Sequence, residues 1–273
     1  IQKIYAGALE IQHSLPSLDL IGDEISGGEE EARSSVVHAK KTIAPHILIK
    51  NCSVKTKDGK VDLLKNVNLE IPPGSKVAVV GESGAGKSTL LNVMLGLMPP
   101  TKGSVHIDGL ELHKDMPYLD WTQQISYVPQ TVFLIDDTIA GNVAFFVEPD
   151  KIDFAHLSDV IEFVKMTDVV ANRDNGINAM VGDSGVKLSG GQIQRLGIAR
   201  ALFSKPAVLF LDEATSALDS VVERQLLENF VQRLPDTTIV FVTHRHNHLG
   251  SFDQVIVMKD GKIDKIQQQY DAS

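Results

Sequence analysis

Val77-Ala-Val-Val-Gly81-Glu-Ser-Gly-Ala-Gly-Lys87-Ser-Thr89 is followed at once by Leu90-Leu-Asn-Val-Met-Leu95. An apolar run of this kind reads as a buried strand, and the residues after the loop carry helical spacing. Strand, glycine-rich turn and helix are the context in which GxxxxGKS means a phosphate site. Glycines let backbone N–H groups crowd around a polyanion. The helix N-terminus adds unpaired donors and a partial positive charge. Lys87 is then placed to reach the β- and γ-phosphates, and the Ser88 hydroxyl to ligate Mg²⁺.

Downstream, Ala207-Val-Leu-Phe-Leu211 ends in Asp212-Glu213, and Thr238-Ile-Val-Phe-Val242 ends in Thr243-His244. Runs without alternation are buried on both faces, as in a parallel sheet. Carboxylates at the C-terminal end of such a strand sit where ligands bind. One can hold Mg²⁺ and the other can take a proton from an attacking water. In His244-Arg-His-Asn-His248 the spacing matches no usual zinc pattern, so one functional imidazole, His244, is expected, with His246 and His248 solvated.

Strands alternating with helices make this an α/β chain with a mostly parallel core sheet. From His46 to Ile71 the apolar residues alternate around a turn at Lys57-Asp-Gly-Lys60, which predicts a small antiparallel sheet. Asp260-Gly261 predicts a closing hairpin. From Thr138 to about Asn175 the spacing is helical, with Ile139, Val143, Phe146, Leu157, Val160, Ile161 and Val164 inward, which predicts an all-helical insertion. Ser189-Gly-Gly-Gln192 opens a further helix, as a second anion site without a lysine or as a plain cap.

The 273 residues hold one large domain or two small ones, and the net charge of −9 argues against nucleic acid as the main ligand. A single cysteine, Cys52, excludes an internal disulfide and fits a reducing compartment. No run is long and apolar enough to span a bilayer, and no signal peptide is visible. The chain begins at Ile1 without methionine and reads as an excised piece of something longer. Residues 1–45 carry loosely helical apolar spacing, then the acidic break Gly27-Gly-Glu-Glu-Glu31. They read as a frayed helix or as the end of a membrane-domain helix with its linker.

From about Ile47 to Ile266 these motifs resemble, in the right order, the ATP-binding cassette of exporter-type ABC transporters. Gly81 to Thr89 is similar to the Walker A loop, Gln130 to the Q-loop glutamine and Leu188-Ser-Gly-Gly-Gln192 to the family signature. Val208 to Asp212 is similar to Walker B, Glu213 to the catalytic glutamate, Ser216-Ala-Leu-Asp219 to the D-loop and His244 to the switch histidine. Val181-Gly-Asp-Ser-Gly185 is similar to the exporters' X-loop, with Ala179-Met in place of the usual Thr-Glu. The leading segment, through Gln12-His-Ser-Leu-Pro16, looks like the end of an exporter's last membrane helix.

The resemblance implies a P-loop NTPase (RecA-like) core in residues 46–273, with an antiparallel β subdomain and an α-helical subdomain over about 131–190. It implies ATP hydrolysis driving export, with ATP and Mg²⁺ bound. The catalytic residues would be Glu213, His244, Lys87 and Gln130, and the Mg²⁺ ligands Ser88, Gln130 and Asp212. Nucleotide contacts would come from Gly81, Glu82, Ser83, Gly84, Ala85, Gly86, Lys87, Ser88 and Thr89. Ser189, Gly190, Gly191 and Gln192 would complete the site of a second copy in a head-to-tail dimer. A transmembrane domain of the parent chain and a place on the cytoplasmic face of a membrane, the bacterial inner membrane, are implied too. A soluble ABC-type ATPase, a non-hydrolysing nucleotide sensor and an importer's ATP subunit are the rivals. One departure stands out: the family's adenine-stacking ring falls near Thr56, and no Tyr, Phe or Trp lies between His46 and Ile71. Stacking is then weakened or supplied from elsewhere.

Overall fold

The computed structural model describes residues 43–56, 58–182, 185–244 and 249–268. The chain divides into two units, Ile1–Lys40 and Lys41–Ser273, and every described residue belongs to the second. The expected helix and linker of residues 1–45 therefore lie almost wholly outside the described residues, as do His246 and His248.

Strands β1 (Ile47–Lys55) and β2 (Asp62–Ile71) form the expected antiparallel pair, and β3 (Lys76–Gly81) leads into the glycine loop. Helix α1 (Lys87–Met94) follows, then β4 (Lys102–Ile107), β5 (Leu110–Glu111), α2 (Tyr118–Thr122) and β6 (Ile125–Val128). Helices α3 (Ile139–Val143), α4 (Phe154–Phe163) and α5 (Thr167–Ala171) precede α6 (Gly190–Phe203). The chain closes with β7 (Val208–Asp212), α7 (Ser220–Arg233), β8 (Thr238–Thr243), β9 (Gln254–Lys259) and β10 (Lys262–Gln268).

Two sheets result. One, in the order β2-β1-β4-β5, is antiparallel. The other, in the order β10-β9-β3-β8-β7-β6, is parallel except for the β9–β10 hairpin. The apolar strands β3, β7 and β8 occupy its middle because each is buried on both faces. Their C-terminal ends therefore gather Gly81, Asp212 and Thr243 along one edge of the sheet. One apolar core joins the helices to one face, and another joins α1 and the antiparallel sheet to the opposite face.

The helical stretch departs from its expected pattern at Phe146. Helix α3 stops at Val143, Phe146 takes a left-handed φ of 63°, and its ring is 94% exposed. Periodicity fails there because the chain turns outward after Ala144 instead of continuing the helix. Arg200 explains why α3 is nonetheless fixed. Its guanidinium donates to the carbonyl and side-chain oxygens of Asn142 and to the Phe133 carbonyl, tying α3 to α6.

Lys76 is a buried cation that periodicity reads only as strand. Its side chain sits in a residue 5% exposed and donates to the carbonyls of Gly74, Leu234, Pro235 and Thr237 at 2.6–3.2 Å. Burial lowers its pKa, while the nearby Asp253 and Asp236 charges act in the opposite direction. The cation thus fastens the end of α7 to the start of β3.

Candidate functional site

Gly81 ends β3 under strong steric constraint. A Cβ there would lie 2.4 Å from the Met258 carbonyl oxygen on the neighbouring strand β9. Gly86, with φ 98°, stands at the N-terminus of α1, where a side chain would crowd the Leu63 carbonyl at 3.1 Å. Gly81 is required because neighbouring backbone leaves no room for a Cβ, and Gly86 is favoured by its left-handed φ together with a tight contact. The loop between them exposes Glu82, Ser83 and Gly84. The Lys87 ammonium lies back over it, donating to the carbonyls of Gly81 at 2.8 Å and Glu82 at 2.9 Å.

A cleft of about 700 Å³ opens over this loop. Ser83, Gly84, Gly86, Lys87, Ser88 and Thr89 line it together with Gln130, Glu213 and His244. Four segments far apart in sequence, the loop and the residues after β6, β7 and β8, therefore meet at one place, where strand ends place ligands. Gly81, Glu82 and Ala85, the remaining residues of the loop, do not line the cleft.

Glu213 is the hub of the far wall. Gln130 donates its side-chain amide to Glu213 Oε2 at 3.0 Å, and His244 Nδ1 lies 3.3 Å from Glu213 Oε1. The Glu213 N–H donates to the Val242 carbonyl at 2.9 Å, and its φ is 48°. That left-handed backbone is unusual for glutamate and stores strain of roughly 1–2 kcal/mol. It turns the side chain off the axis of β7.

Asp212 lies deeper. Burial raises its carboxyl pKa above the ordinary 3.8, and the Glu213 charge adds to the rise. Lys87 and a hydrogen bond from the Tyr127 hydroxyl oppose it. An incoming cation would relieve this electrostatic tension. The donor set of Ser88, Gln130 and Asp212 is all oxygen. Among the described residues no group of three or more His, Cys, Asp or Glu side chains could hold a metal alone. That combination fits Mg²⁺, which is held by one or two carboxylates together with phosphate oxygens rather than by an all-protein cage.

Ser189, Gly190, Gly191 and Gln192 do not line this cleft. Ser189 and Gln192 form a capping box: the Ser189 hydroxyl accepts from the Gln192 N–H, and the Gln192 side chain accepts from the Ser189 N–H. The spacing S-x-x-Q already signals such a box. Asp219 likewise caps α7, accepting from the N–H groups of Val221 and Val222, which holds its carboxyl below the ordinary range.

Three features escape a sequence reading. Gln194 is buried on α6, donates to the Ser216 hydroxyl and accepts from the Ala217 N–H, so it joins the signature helix to the loop after Glu213. A polar residue on an otherwise apolar helix face was the available signal. Tyr127 sits in a short strand with no motif around it. Val61, Leu63 and Lys65 line the cleft from β2 and the turn before it. Thr56, where a ring was sought, is not in the cleft lining. It holds its own turn instead: its hydroxyl donates to Asp58 and accepts from the Val61 N–H.

Comparison with known proteins agrees with this geometry. Residues 64–216, more than half of the chain, match the model of a family described as ABC transporter. The chain is 38% identical over 218 residues to an ATP-dependent lipid A-core flippase of Cupriavidus metallidurans, covering 80% of this chain and 36% of that protein. Against the flippase of the same name from Photobacterium profundum it is 35% identical over 246 residues, covering 90% and 40%. The solved structure of a bacterial Atm1-family ABC exporter with ATP bound superposes with a TM-score of 0.76 at 30% identity, covering 86% of this chain and 41% of that one. The chain spans about two fifths or less of the length of these relatives. Its matched motifs, its sheet order and its loop-and-carboxylate cleft place the chain in the ABC transporter family.

Proposed function

We propose that this chain is the nucleotide-binding domain of an exporter, binding and hydrolysing ATP to drive transport across a membrane. The observation that carries the proposal is the single cleft shared by Lys87, Ser88, Gln130, Glu213 and His244. In this reading the N–H groups of the loop and the Lys87 ammonium bind the β- and γ-phosphates. Ser88, Gln130 and Asp212 would hold Mg²⁺, which would neutralise phosphate charge.

Phosphoryl transfer to water needs positioning and charge neutralisation above all. Glu213 orients a water and accepts its proton. The water oxygen bonds to the γ-phosphorus, the bond to the β–γ bridging oxygen breaks, and ADP leaves with that oxygen. His244 steadies the γ-phosphate and, through its contact with Glu213, the base. Gln130 donates through Nε2 to Glu213, so its amide oxygen is the atom suited to the cation.

Ser189 to Gln192, outside the cleft, would complete the site of a second copy in a head-to-tail dimer. Among the described residues no helix is long and apolar enough to cross a membrane. Transport therefore assigns the crossing to a transmembrane domain of the parent protein, with this domain on the cytoplasmic face of a membrane, the bacterial inner membrane. Residues 1–45 would be the join to that domain, and the export direction follows the exporter and flippase names of the relatives. Phosphate release from Mg-ATP tests the proposal, with Lys87→Ala as the control. Hydrolysis that survives Lys87→Ala unchanged would refute it.

A further inference from the structure

The cleft continues past the glycine loop onto β2. Its far end is lined by Val61, Asp62, Leu63 and Lys65, with Asp260 and Gly261 beside them. Val61 and Asp62 reach the cleft at the start of β2, and within the strand Leu63 and Lys65 lie on its cleft side, while Leu64 points the other way into the core and is fully buried. This stretch is anchored against the loop: the Lys65 N–H donates to the Gly261 carbonyl at 2.8 Å, and the Gly261 N–H to the Ala85 carbonyl at 3.1 Å. A triphosphate seated on the loop therefore directs its nucleoside at Val61 and Leu63.

The described lining of the cleft holds no Tyr, Phe or Trp. Val61 is 55% exposed and offers an open aliphatic surface. The Asp62 carboxylate is drawn away by Lys55 at 3.6 Å. Lys65 and Asp260 supply one charge of each sign, which any base can meet with a donor or an acceptor. A base is identified by fixed hydrogen bonds to its edge or favoured by stacking on a ring. An aliphatic face with charged, solvent-facing neighbours rewards contact area and reads no edge.

We infer that Val61 and Leu63 form the base platform of this site and that the site accepts purine and pyrimidine nucleoside triphosphates alike. The inference rests on the triphosphate reading of the cleft and adds its substrate class. Thr56 takes no part, because its hydroxyl is committed to the turn at Asp58 and Val61.

Dissociation constants of ATP, GTP, CTP and UTP, each with Mg²⁺, are measured on the full chain, on Lys87→Ala and on Val61→Tyr. The expected spread among the four is no more than about tenfold, the lower end of what a hydrophobic pocket can discriminate. All four should weaken together in Lys87→Ala, and Val61→Tyr should favour the purines at least about threefold by adding a ring. ATP bound more than about tenfold tighter than GTP or UTP, with loss in Lys87→Ala, overturns the inference and leaves the triphosphate site standing. Four affinities unmoved by Val61→Tyr overturn the platform. Absent nucleotide binding, or binding unmoved by Lys87→Ala, overturns the underlying reading as well. Should Val61→Tyr not fold, the four wild-type affinities decide alone.

Discussion

The side-chain amide of Gln130 is hydrogen-bonded to the Glu213 carboxylate at 3.0 Å across 83 residues of sequence. This bond joins the end of β6 to the end of β7 and fixes where a base would face the γ-phosphate. Glu213→Gln keeps the shape of the side chain and removes its basicity. Turnover should fall by about 10²–10⁴-fold, the range for losing a positioned general base, with nucleotide affinity retained. Phosphate release read beside the dissociation constant separates the two. Turnover within threefold of wild type would remove Glu213 from its role.

Asp212 supplies a prediction about pH. Its folded pKa is raised above 3.8, by burial first and by Glu213 second. For a carboxyl raised on folding, the favourable contribution is complete below 3.8 and is lost as pH rises through the folded value. At neutral pH the nucleotide-free chain therefore carries a strained charge, and Asp212→Asn should stabilise it. The melting temperature should rise, at roughly 2–4 °C for each kcal/mol in a domain of this size. The same variant should lose Mg²⁺-dependent nucleotide binding. A melting temperature lowered by Asp212→Asn would contradict the argument.

Ser189 can be tested as a cap and as a reactive-site residue separately. Loss of a serine cap to alanine costs about 1 kcal/mol, but to glycine only a few tenths. Ser189→Gly should therefore melt close to wild type, and Ser189→Ala below it. If the hydroxyl also completes a partner's site, both should hydrolyse ATP poorly despite their different stabilities. Normal turnover in the stable glycine variant would reduce Ser189 to a cap.

Gln194 gives a packing prediction. Gln194→Leu removes a donor to Ser216 and leaves the Ala217 N–H without its acceptor. Ala217 is itself exposed, so the loss is that of the two hydrogen bonds made by the buried Gln194 side chain, together about 1–3 kcal/mol, and denaturant midpoints should drop accordingly. Unchanged midpoints would mean that water or relaxation restores the bond.

Much of this was legible in the chain because it is local. Gly81 to Thr89 needs only a strand before it and a helix after it, and the double burial of β7 and β8 shows in their unbroken apolar runs. Asp212, Glu213 and His244 could be placed at strand ends on that basis alone. What resisted was tertiary. The cross-links of Gln194 and Arg200 depend on which helices face each other. The exposure of Phe146 depends on a left-handed turn that periodicity does not encode. The ring sought at Thr56 concealed the better question of which strand edge overhangs the loop, and Val61 and Leu63 answer it only once β2 is docked on Gly86 and Gly261.

The four-carbonyl seat of Lys76 has a practical consequence. Acylating reagents need an accessible amine, and this one is enclosed while α7 and β3 stay docked. Its modification would therefore report opening of the central sheet, against surface amines such as Lys60 and Lys151 that react at once. One residue mapped by mass spectrometry would then serve as a clock for the breathing of the domain, slowed by whatever locks the nucleotide cleft.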